Sequence, residues 1–210
     1  MKKLIIIGTN PLAEIANEYF TYDSDYSVVA FSVEKEFIEH DRFFNKPVVS
    51  FDKLEKLYPP QNYSVFVSLG YGRMNNDRTR IYLKAKEKGY KIASYLSSNA
   101  FVWRNVEIGE HCFIFENNTV QPFVKVGNNV IMWSGNHIGH HSIIKDNCFI
   151  SSHVVISGLC TIGKNCFLGV NSTISNNLTI ADNCIIGAGT NVINDLIESG
   201  TYVGNPARKI

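Results

Sequence analysis

Aliphatic residues recur at every sixth position through the second half of the chain. From Val102 onward the series runs over sixteen positions with no polar residue and no gap. Its members are Val102, Ile108, Ile114, Val120, Val126, Met132, Ile138, Ile144, Ile150, Ile156, Ile162, Leu168, Ile174, Ile180, Ile186 and Val192. An amphipathic α-helix would repeat its apolar stripe at about 3.6 residues, which does not match. The pattern predicts a parallel β-helix of hexapeptides.

The other positions of the hexapeptide support this interpretation. Small residues, including all five cysteines, dominate four residues after each aliphatic. Asn or Gly dominates one position earlier, and these residues tolerate the left-handed backbone of a tight corner. Three hexapeptides would close one triangular coil of 18 residues, so residues 102 to about 195 predict about five coils stacked about 4.8 Å apart.

Residues 1–98 follow a different pattern, in which short apolar runs alternate with helical stripes. We predict strands at 3–7, 27–31, 65–69 and 91–96. One helix should begin at Asn10 and Pro11, a favourable cap and first position, and another should run from Asn75 or Asn76 to Lys88. This alternation predicts a small Rossmann-like α/β domain at 1–98 with a parallel sheet, followed by an all-β domain at 99–210.

Ligands of parallel α/β sheets bind beyond the carboxyl ends of the strands. The segments predicted to border such a site are Gly8–Thr9–Asn10 and 70–76, the second of which includes Gly70 and Asn75. The first turn has neither the GxGxxG nor the GxxxxGK pattern of dinucleotide or triphosphate sites. A plain strand–turn–helix therefore remains an alternative interpretation.

Charge and composition narrow the classes of function. Twenty Lys and Arg against nineteen Asp and Glu leave a formal charge of +1, which favours neither nucleic acid nor an anionic membrane. No apolar run is long enough for a membrane span or a signal peptide, so we expect a cytoplasmic protein. The five cysteines lack CxxC spacing and fall in one inward register, which predicts small buried side chains without catalytic function.

Among the six histidines, His140 is the best candidate for a catalytic base. Three others occupy the corner register, where histidine is tolerated as a structural residue: His111, His141 and His153. Adding one 18-residue coil to His140 gives Gly158, so the two should be stacked neighbours roughly 5 Å apart. A histidine beside a glycine amide suits acyl transfer, because the imidazole takes a proton and the N–H stabilises an oxyanion.

The chain resembles the NeuD/PglD-type bacterial sugar acyltransferases of the left-handed β-helix superfamily. The resemblance rests on the domain order and on three segments: GNHIGHHSIIKDNCFISSHVVISG, IGKNCFLGVNSTI and YVGNPARKI. It is close from Ile162 to the C-terminus and looser in the first 100 residues. It implies a left-handed β-helix and a homotrimer with active sites between neighbouring β-helices. Acetyl-CoA should lie along the β-helix, and the first domain should hold the nucleotide of an activated sugar.

The resemblance also implies roles for particular residues. His140 corresponds to the catalytic base and Gly158 to the amide that polarises the thioester, while Val170 and Ala188 correspond to contacts with the pantetheine arm. In the first domain, Glu34 falls on an acidic pair that follows the second strand.

The chain also departs from the family pattern at several positions. Gly139 and His141 flank the base where the family has an acidic residue, so we consider Glu116 as a more distant acid. Phe149 replaces a second histidine that contacts the cofactor, and GTNPLA replaces the glycine-rich turn GxxGHG.

The resulting hypothesis is acetyl-CoA-dependent N-acetylation of a nucleotide-linked deoxyamino sugar in surface polysaccharide biosynthesis, by direct attack and without a metal. Three alternatives stay open. One is O-acetylation of a sugar hydroxyl on the same fold. Another is a trimeric zinc enzyme in which histidines such as His137, His140 and His141 bind the metal. The third is a non-catalytic scaffold.

Overall fold

The computed structural model describes all 210 residues, which divide into two compact units. The first unit comprises Met1–Gly72 and Asp77–Tyr95, and the second comprises Arg73–Asn76 and Leu96–Ile210. The sequence placed the boundary at residue 98, whereas the structure places it after Tyr95. The short segment Arg73–Asn76 belongs to the second unit, although the sequence pattern assigned it to the first.

The first unit is built on a six-stranded sheet of order β3-β4-β2-β1-β5-β6, as the α/β pattern predicted. Its strands are β1 (Lys2–Ile7), β2 (Tyr26–Val33), β3 (Arg42–Phe43), β4 (Lys46–Ser50), β5 (Ser64–Val67) and β6 (Lys91–Ile92). Its helices are α1 (Pro11–Tyr22), the short α2 (Leu54–Leu57) and α3 (Asn76–Glu87), the last of which begins with one residue of the second unit. All pairs are parallel except β3–β4, and the order β4-β2-β1-β5-β6 matches the first five strands of the Rossmann order 3-2-1-4-5-6.

Local sequence explains these elements. Leu4–Ile7 is completely buried, as expected for a central parallel strand, and Asn10 caps α1 by accepting the Ala13 N–H at 3.1 Å. The β3–β4 hairpin was missed because its strands are short and only partly buried, which leaves no clear alternation. The predicted strand at 91–96 is two short strands, β6 and β7 (Tyr95–Leu96).

The second unit is a three-sided parallel β-helix whose strands fall into three sheets. The first face contains β7, β10 (Phe113–Ile114), β13 (Ile131–Met132), β16 (Phe149–Ile150), β19 (Phe167–Leu168), β22 (Cys184–Ile186), β24 (Gly200–Val203) and β25 (Arg208–Lys209). The second contains β8 (Phe101–Val102), β11 (Thr119–Val120), β14 (His137–Ile138), β17 (Val155–Ile156), β20 (Thr173–Ile174) and β23 (Asn191–Val192). The third contains β9 (Glu107–Ile108), β12 (Lys125–Val126), β15 (Ile143–Ile144), β18 (Thr161–Ile162) and β21 (Thr179–Ile180).

The hexapeptide positions have the environments that the sequence predicted. From Ile114 onward the periodic aliphatic residues are buried in one continuous core, while Val102 and Ile108 in the first coil are partly buried. The corner residues have positive φ, such as 58° at Asn117 and 57° at Asn165. All five cysteines are buried and free.

The longest helices have 12 residues, and none is long and apolar enough to span a bilayer.

Candidate active site

The imidazole of His140 lies directly against Gly158, its neighbour in the next coil. Strands β14 and β17 pair Ile138 with Ile156, so the residues that follow them stack at the same corner. A Cβ added to Gly158 would come 2.8 Å from both Cε1 and Nε2 of His140, closer than real Cβ contacts. The predicted neighbours are therefore in contact, and only glycine leaves room for the ring.

The backbone around Gly158 is also closely packed. A Cβ added to Gly139 would lie 2.4 Å from the Gly158 nitrogen, so glycine is needed on both coils. The Gly158 carbonyl accepts the Asn177 N–H at 2.9 Å, but the Gly158 N–H makes no hydrogen bond within the chain. An unengaged N–H beside an imidazole provides a donor for a developing oxyanion next to a proton acceptor.

Three residues outside the predicted pair of His140 and Gly158 surround the His140 ring and backbone. Gln121 Oε1 accepts the His140 backbone N–H at 2.9 Å. The Nδ1 atoms of His140 and His141 are 3.1 Å apart, and Phe123 stacks on His141 with ring centroids 4.6 Å apart. His140 Nε2 has no hydrogen-bond partner in the chain and belongs to an exposed side chain. The base nitrogen is thus open to a substrate.

Glu116 does not support His140, so this prediction was wrong. Glu116 follows the first-face strand β10, whereas His140 follows the second-face strand β14, and the two therefore lie at different corners. The Glu116 carboxylate instead accepts the Ser134 hydroxyl at 2.6 Å. Stacked neighbours differ by 18 residues, and the residue 18 before His140 is Pro122, which cannot act as an acid.

Val170 and Ala188 stack on each other at another corner, which joins the first and second faces. The Gly189 N–H donates to the Val170 carbonyl at 2.8 Å, and both predicted pantetheine contacts are exposed. The next corner of the same coil contains Asn176. Asn176 lies 18 residues after Gly158 and therefore stacks in the same register as Gly158, so one face of the coil separates Val170 from that corner. Such a short stretch spans at most about 20 Å. The two groups of predicted site residues therefore lie at separate corners of one chain, here called the histidine corner (His140, His141, Gly158) and the Val170 corner (Val170, Ala188).

In the first unit, the ends of β1 and β5 meet as predicted. Gly8 has φ of 134°, and a Cβ there would lie 2.9 Å from the Ser68 carbonyl oxygen. Asn10 Nδ2 donates to that same carbonyl at 2.9 Å, so both polar atoms of Asn10 hold the turn together. Gly70 accepts a hydrogen bond from the buried Arg78 guanidinium at 2.9 Å. Gly8, Thr9, Asn10 and Gly70 thus lie at the carboxyl ends of neighbouring strands.

Glu34 lies at the end of β2 but is engaged by side chains from α3. Arg80 donates to both of its carboxylate oxygens at 2.6 Å, and Lys84 is 3.6 Å away. The hydrogen bond from Arg80 is the largest cause that lowers the pKa of Glu34. Arg80 and Lys84 were not predicted, although their spacing of four places both on one helix face.

Asn75 does not border the ligand site that was predicted in the first unit. It belongs to the second unit, is fully buried, and its Nδ2 lies 3.4 Å from the Cys166 carbonyl oxygen. A ligand of the first unit therefore has no access to its side chain. The prediction failed because this contact joins residues 91 positions apart, which local pattern does not encode.

No group of three or more His, Cys, Asp or Glu side chains is arranged to hold a metal ion. Hydrogen bonding with Cys148 raises the pKa of Cys166 to about 12, and burial raises the pKa of Cys160. These buried thiols are poor nucleophiles at neutral pH.

Comparison with known proteins agrees with this architecture. Residues 105–140 and 159–194 match the family model described as bacterial transferase hexapeptide (six repeats). A search of curated protein sequences gives no significant match.

Solved structures match the whole chain at low identity. A variant of perosamine N-acetyltransferase from Caulobacter crescentus, in complex with CoA and GDP-perosamine, is 23% identical with a TM-score of 0.88, covering 100% of this chain and 97% of that one. The acetyltransferase domain of PglB from Neisseria gonorrhoeae, in complex with acetyl coenzyme A, is 21% identical with a TM-score of 0.88, covering 100% and 99%. WeeI from Acinetobacter baumannii is 20% identical with a TM-score of 0.65, covering 100% of both chains. The chain carries bacterial transferase hexapeptide repeats on a fold that it shares with perosamine N-acetyltransferase and with the acetyltransferase domain of PglB.

Proposed function

We propose that this protein transfers the acetyl group of acetyl-CoA to the amino group of a nucleotide-linked deoxyamino sugar. The observation that carries the proposal is the contact between the His140 ring and Gly158, whose N–H has no partner in the chain. Support for the donor and the acceptor comes from structural neighbours that were solved with acetyl coenzyme A or with CoA and GDP-perosamine.

The two groups act on opposite parts of one reaction. The sugar amine attacks the thioester carbonyl carbon, and His140 Nε2 takes the proton that the amine loses as the N–C bond forms. The Gly158 N–H donates to the carbonyl oxygen while negative charge develops there. The C–S bond then breaks, and the CoA thiolate receives the proton from His140. No acyl-enzyme is required, which agrees with the burial of all five thiols.

A complete site requires a second copy of the chain in this proposal. The histidine corner and the Val170 corner are separated by one face of the β-helix. We therefore propose a homotrimer in which the Val170 corner of one chain meets the histidine corner of its neighbour. Val170 and Ala188 would contact the pantetheine arm of CoA lying between the two β-helices.

The first unit is proposed to bind the nucleotide at the carboxyl ends of its parallel strands, beside Gly8, Thr9, Asn10 and Gly70. Glu34 lies at the end of the neighbouring strand β2, where it would contact the ligand while held by Arg80. We place the reaction in the cytoplasm, where acetyl-CoA is available. Its product would be an activated N-acetylated sugar, suited to a glycosyltransferase that builds surface polysaccharide.

The test is CoA release from acetyl-CoA with a panel of UDP-, dTDP- and GDP-linked 3-amino and 4-amino deoxysugars. Hydroxylated sugars serve as the comparison set. We expect release with an amino sugar linked to one of these nucleotides. Release only with hydroxylated acceptors would replace N-acetylation by O-acetylation. Absence of both release and acetyl-CoA binding would refute the transferase.

A further inference from the structure

We propose that His141 is the positioning residue of the His140 base. Its Nδ1 accepts the Nδ1–H of His140 and thereby leaves His140 Nε2 without a proton, beside Gly158. The catalytic consequence of this pairing rests on the proposed function, whereas the pairing itself rests on geometry alone.

The contact between the two rings requires a defined proton. Their Nδ1 atoms are 3.1 Å apart, and the rings meet edge to face at 86°. A neutral imidazole has one N–H and one lone pair, so one Nδ1 must donate and the other must accept. If His141 donated, His140 would carry its proton on Nε2 and could not act as a base there. The basic form therefore requires that His140 donates and His141 accepts.

The orientation of His141 is set by the corner on which it lies. Its φ is 59°, and its backbone N–H donates to the Pro122 carbonyl at 3.1 Å. Its ring stacks on Phe123 at an interplanar angle of 27°. Leu159 occupies the same register one coil further on, where its N–H donates to the His140 carbonyl at 2.9 Å. His141 is thus stacked on Phe123, and the residue in its register on the next coil, Leu159, is also apolar.

These apolar residues are unusual at a left-handed corner. Phe123 has φ of 66° and Leu159 has φ of 64°, and both side chains are more than half exposed. In the same register Asn105 precedes this group and Asn177 follows it, and asparagine suits such a backbone better. Strained residues that persist at one place often mark a functional site. Among the corners of the β-helix, bulky apolar residues with positive φ occur only on the two coils that flank His140.

No carboxylate competes for the role of His141. The residues stacked against the pair from neighbouring coils are Pro122, Phe123, Gly158 and Leu159, and none of them titrates. His137, on the second face, makes no hydrogen bond with either ring. His141 is therefore the only group of the chain that bonds His140 Nδ1.

The proton balance of the reaction is unchanged by this role. His140 takes the amine proton on Nε2 and becomes doubly protonated, while its Nδ1–H continues to donate to neutral His141. The same Nε2 proton passes to the leaving thiolate, so His141 neither gains nor loses a proton.

The test compares His141→Asn with His141→Phe by imidazole ¹⁵N NMR and by steady-state kinetics. Asparagine keeps an acceptor oxygen and suits the corner backbone, whereas phenylalanine keeps only the ring, which Phe123 shows to fit this register. We expect the Nδ1–H tautomer of His140 in the unsubstituted protein and in His141→Asn, and the Nε2–H tautomer in His141→Phe. We also expect kcat to fall about tenfold in His141→Phe, the loss of one hydrogen bond, with KM little changed and with partial recovery in His141→Asn.

The outcomes separate this proposal from the function on which it rests. An Nε2–H tautomer in the unsubstituted protein, which needs no variant to fold, would overturn the role of His141. Unchanged kcat in His141→Phe would also overturn it. If the Nδ1–H tautomer is found but no acceptor is acetylated, the histidine pair stands and the proposed function fails.

Discussion

The imidazole of His140 covers the Cα of Gly158 from the adjacent coil, leaving no room for a side chain at residue 158. This contact follows from the parallel pairing of Ile138 with Ile156, which aligns the two corners. The rigid β-helix therefore places a proton acceptor and a backbone donor side by side without any loop closure. The same backbone that stabilises the fold also arranges the two groups for chemistry.

Gly158→Ala should lower kcat about 100-fold, because a methyl group 2.8 Å from the ring displaces Nε2, and small misplacements of a catalytic group are costly. Steady-state CoA release measures the effect. The control is a double-mutant cycle with His140→Ala. If Gly158 acts by leaving room for His140, adding Gly158→Ala to His140→Ala should change the residual rate little, whereas multiplicative losses would contradict this explanation.

Activity should be restored when two inactive variants are co-expressed. His140→Ala disables the histidine corner, and Val170→Glu disables the Val170 corner. If each site combines one corner from each of two chains, random mixing leaves both corners intact in about a quarter of the sites of a trimer. The whole co-expressed population of trimers should therefore show about a quarter of the unsubstituted rate. No activity above the separate variants would show that each chain holds a complete site.

Leu159→Asn should stabilise the protein by about 1 kcal/mol, because asparagine tolerates φ of 64° better than leucine. It should also lower kcat several-fold by removing the apolar residue that occupies the register of His141 on the next coil. Asn177→Leu, the matched change one coil further on at φ of 62°, should destabilise the protein by a similar amount. Denaturant unfolding measures both effects, and destabilisation by Leu159→Asn would contradict the assignment of strain to this corner.

Glu34→Gln should destabilise the protein by about 1 kcal/mol at neutral pH. The effect is small because the Arg80 side chain is 40% exposed, and solvent weakens an exposed ion pair. The pKa of Glu34 is lowered in the folded protein, chiefly by the hydrogen bond from Arg80. Its stabilising effect is therefore complete above 4.5, the ordinary pKa of a Glu carboxyl, and is lost as the pH falls through the lower folded pKa.

The measurement is the difference in free energy of unfolding between the two proteins across this range. It should be constant at neutral pH and shrink below pH 4.5. Glu39→Gln provides the control, because Glu39 is exposed and makes no ion pair. A difference that does not change with pH would contradict the role of the ion pair.

Sequence reasoning was most successful where the backbone imposes a strict period. The β-helix was predictable because each hexapeptide buries one aliphatic side chain, and the His140–Gly158 contact followed from counting one coil of 18 residues. Glu116 was considered because it lies roughly one coil before His140, whereas the exact count of 18 residues leads to Pro122. Asn75 was misassigned because its partner, Cys166, lies 91 residues away.

The position of the His141 ring depends on stacking against Phe123, and no residue period encodes such a side-chain orientation. One signal was nevertheless present in the sequence. Phe123 and Leu159 occupy a register that elsewhere holds mainly asparagine, and this exception occurs next to the base. The identity of the sugar and of its nucleotide depends on side chains of the first unit that follow no repeat.

The most direct test of the account is the turnover of His140→Asn with the preferred amino-sugar acceptor and saturating acetyl-CoA. His111→Asn is the matched control, because it removes a buried imidazole from another corner of the β-helix and introduces the residue common there. The account predicts that kcat falls by about 10²–10⁴-fold in His140→Asn, with acetyl-CoA still bound, and stays near the unsubstituted value in His111→Asn. Turnover of His140→Asn within a few-fold of the unsubstituted protein would contradict it.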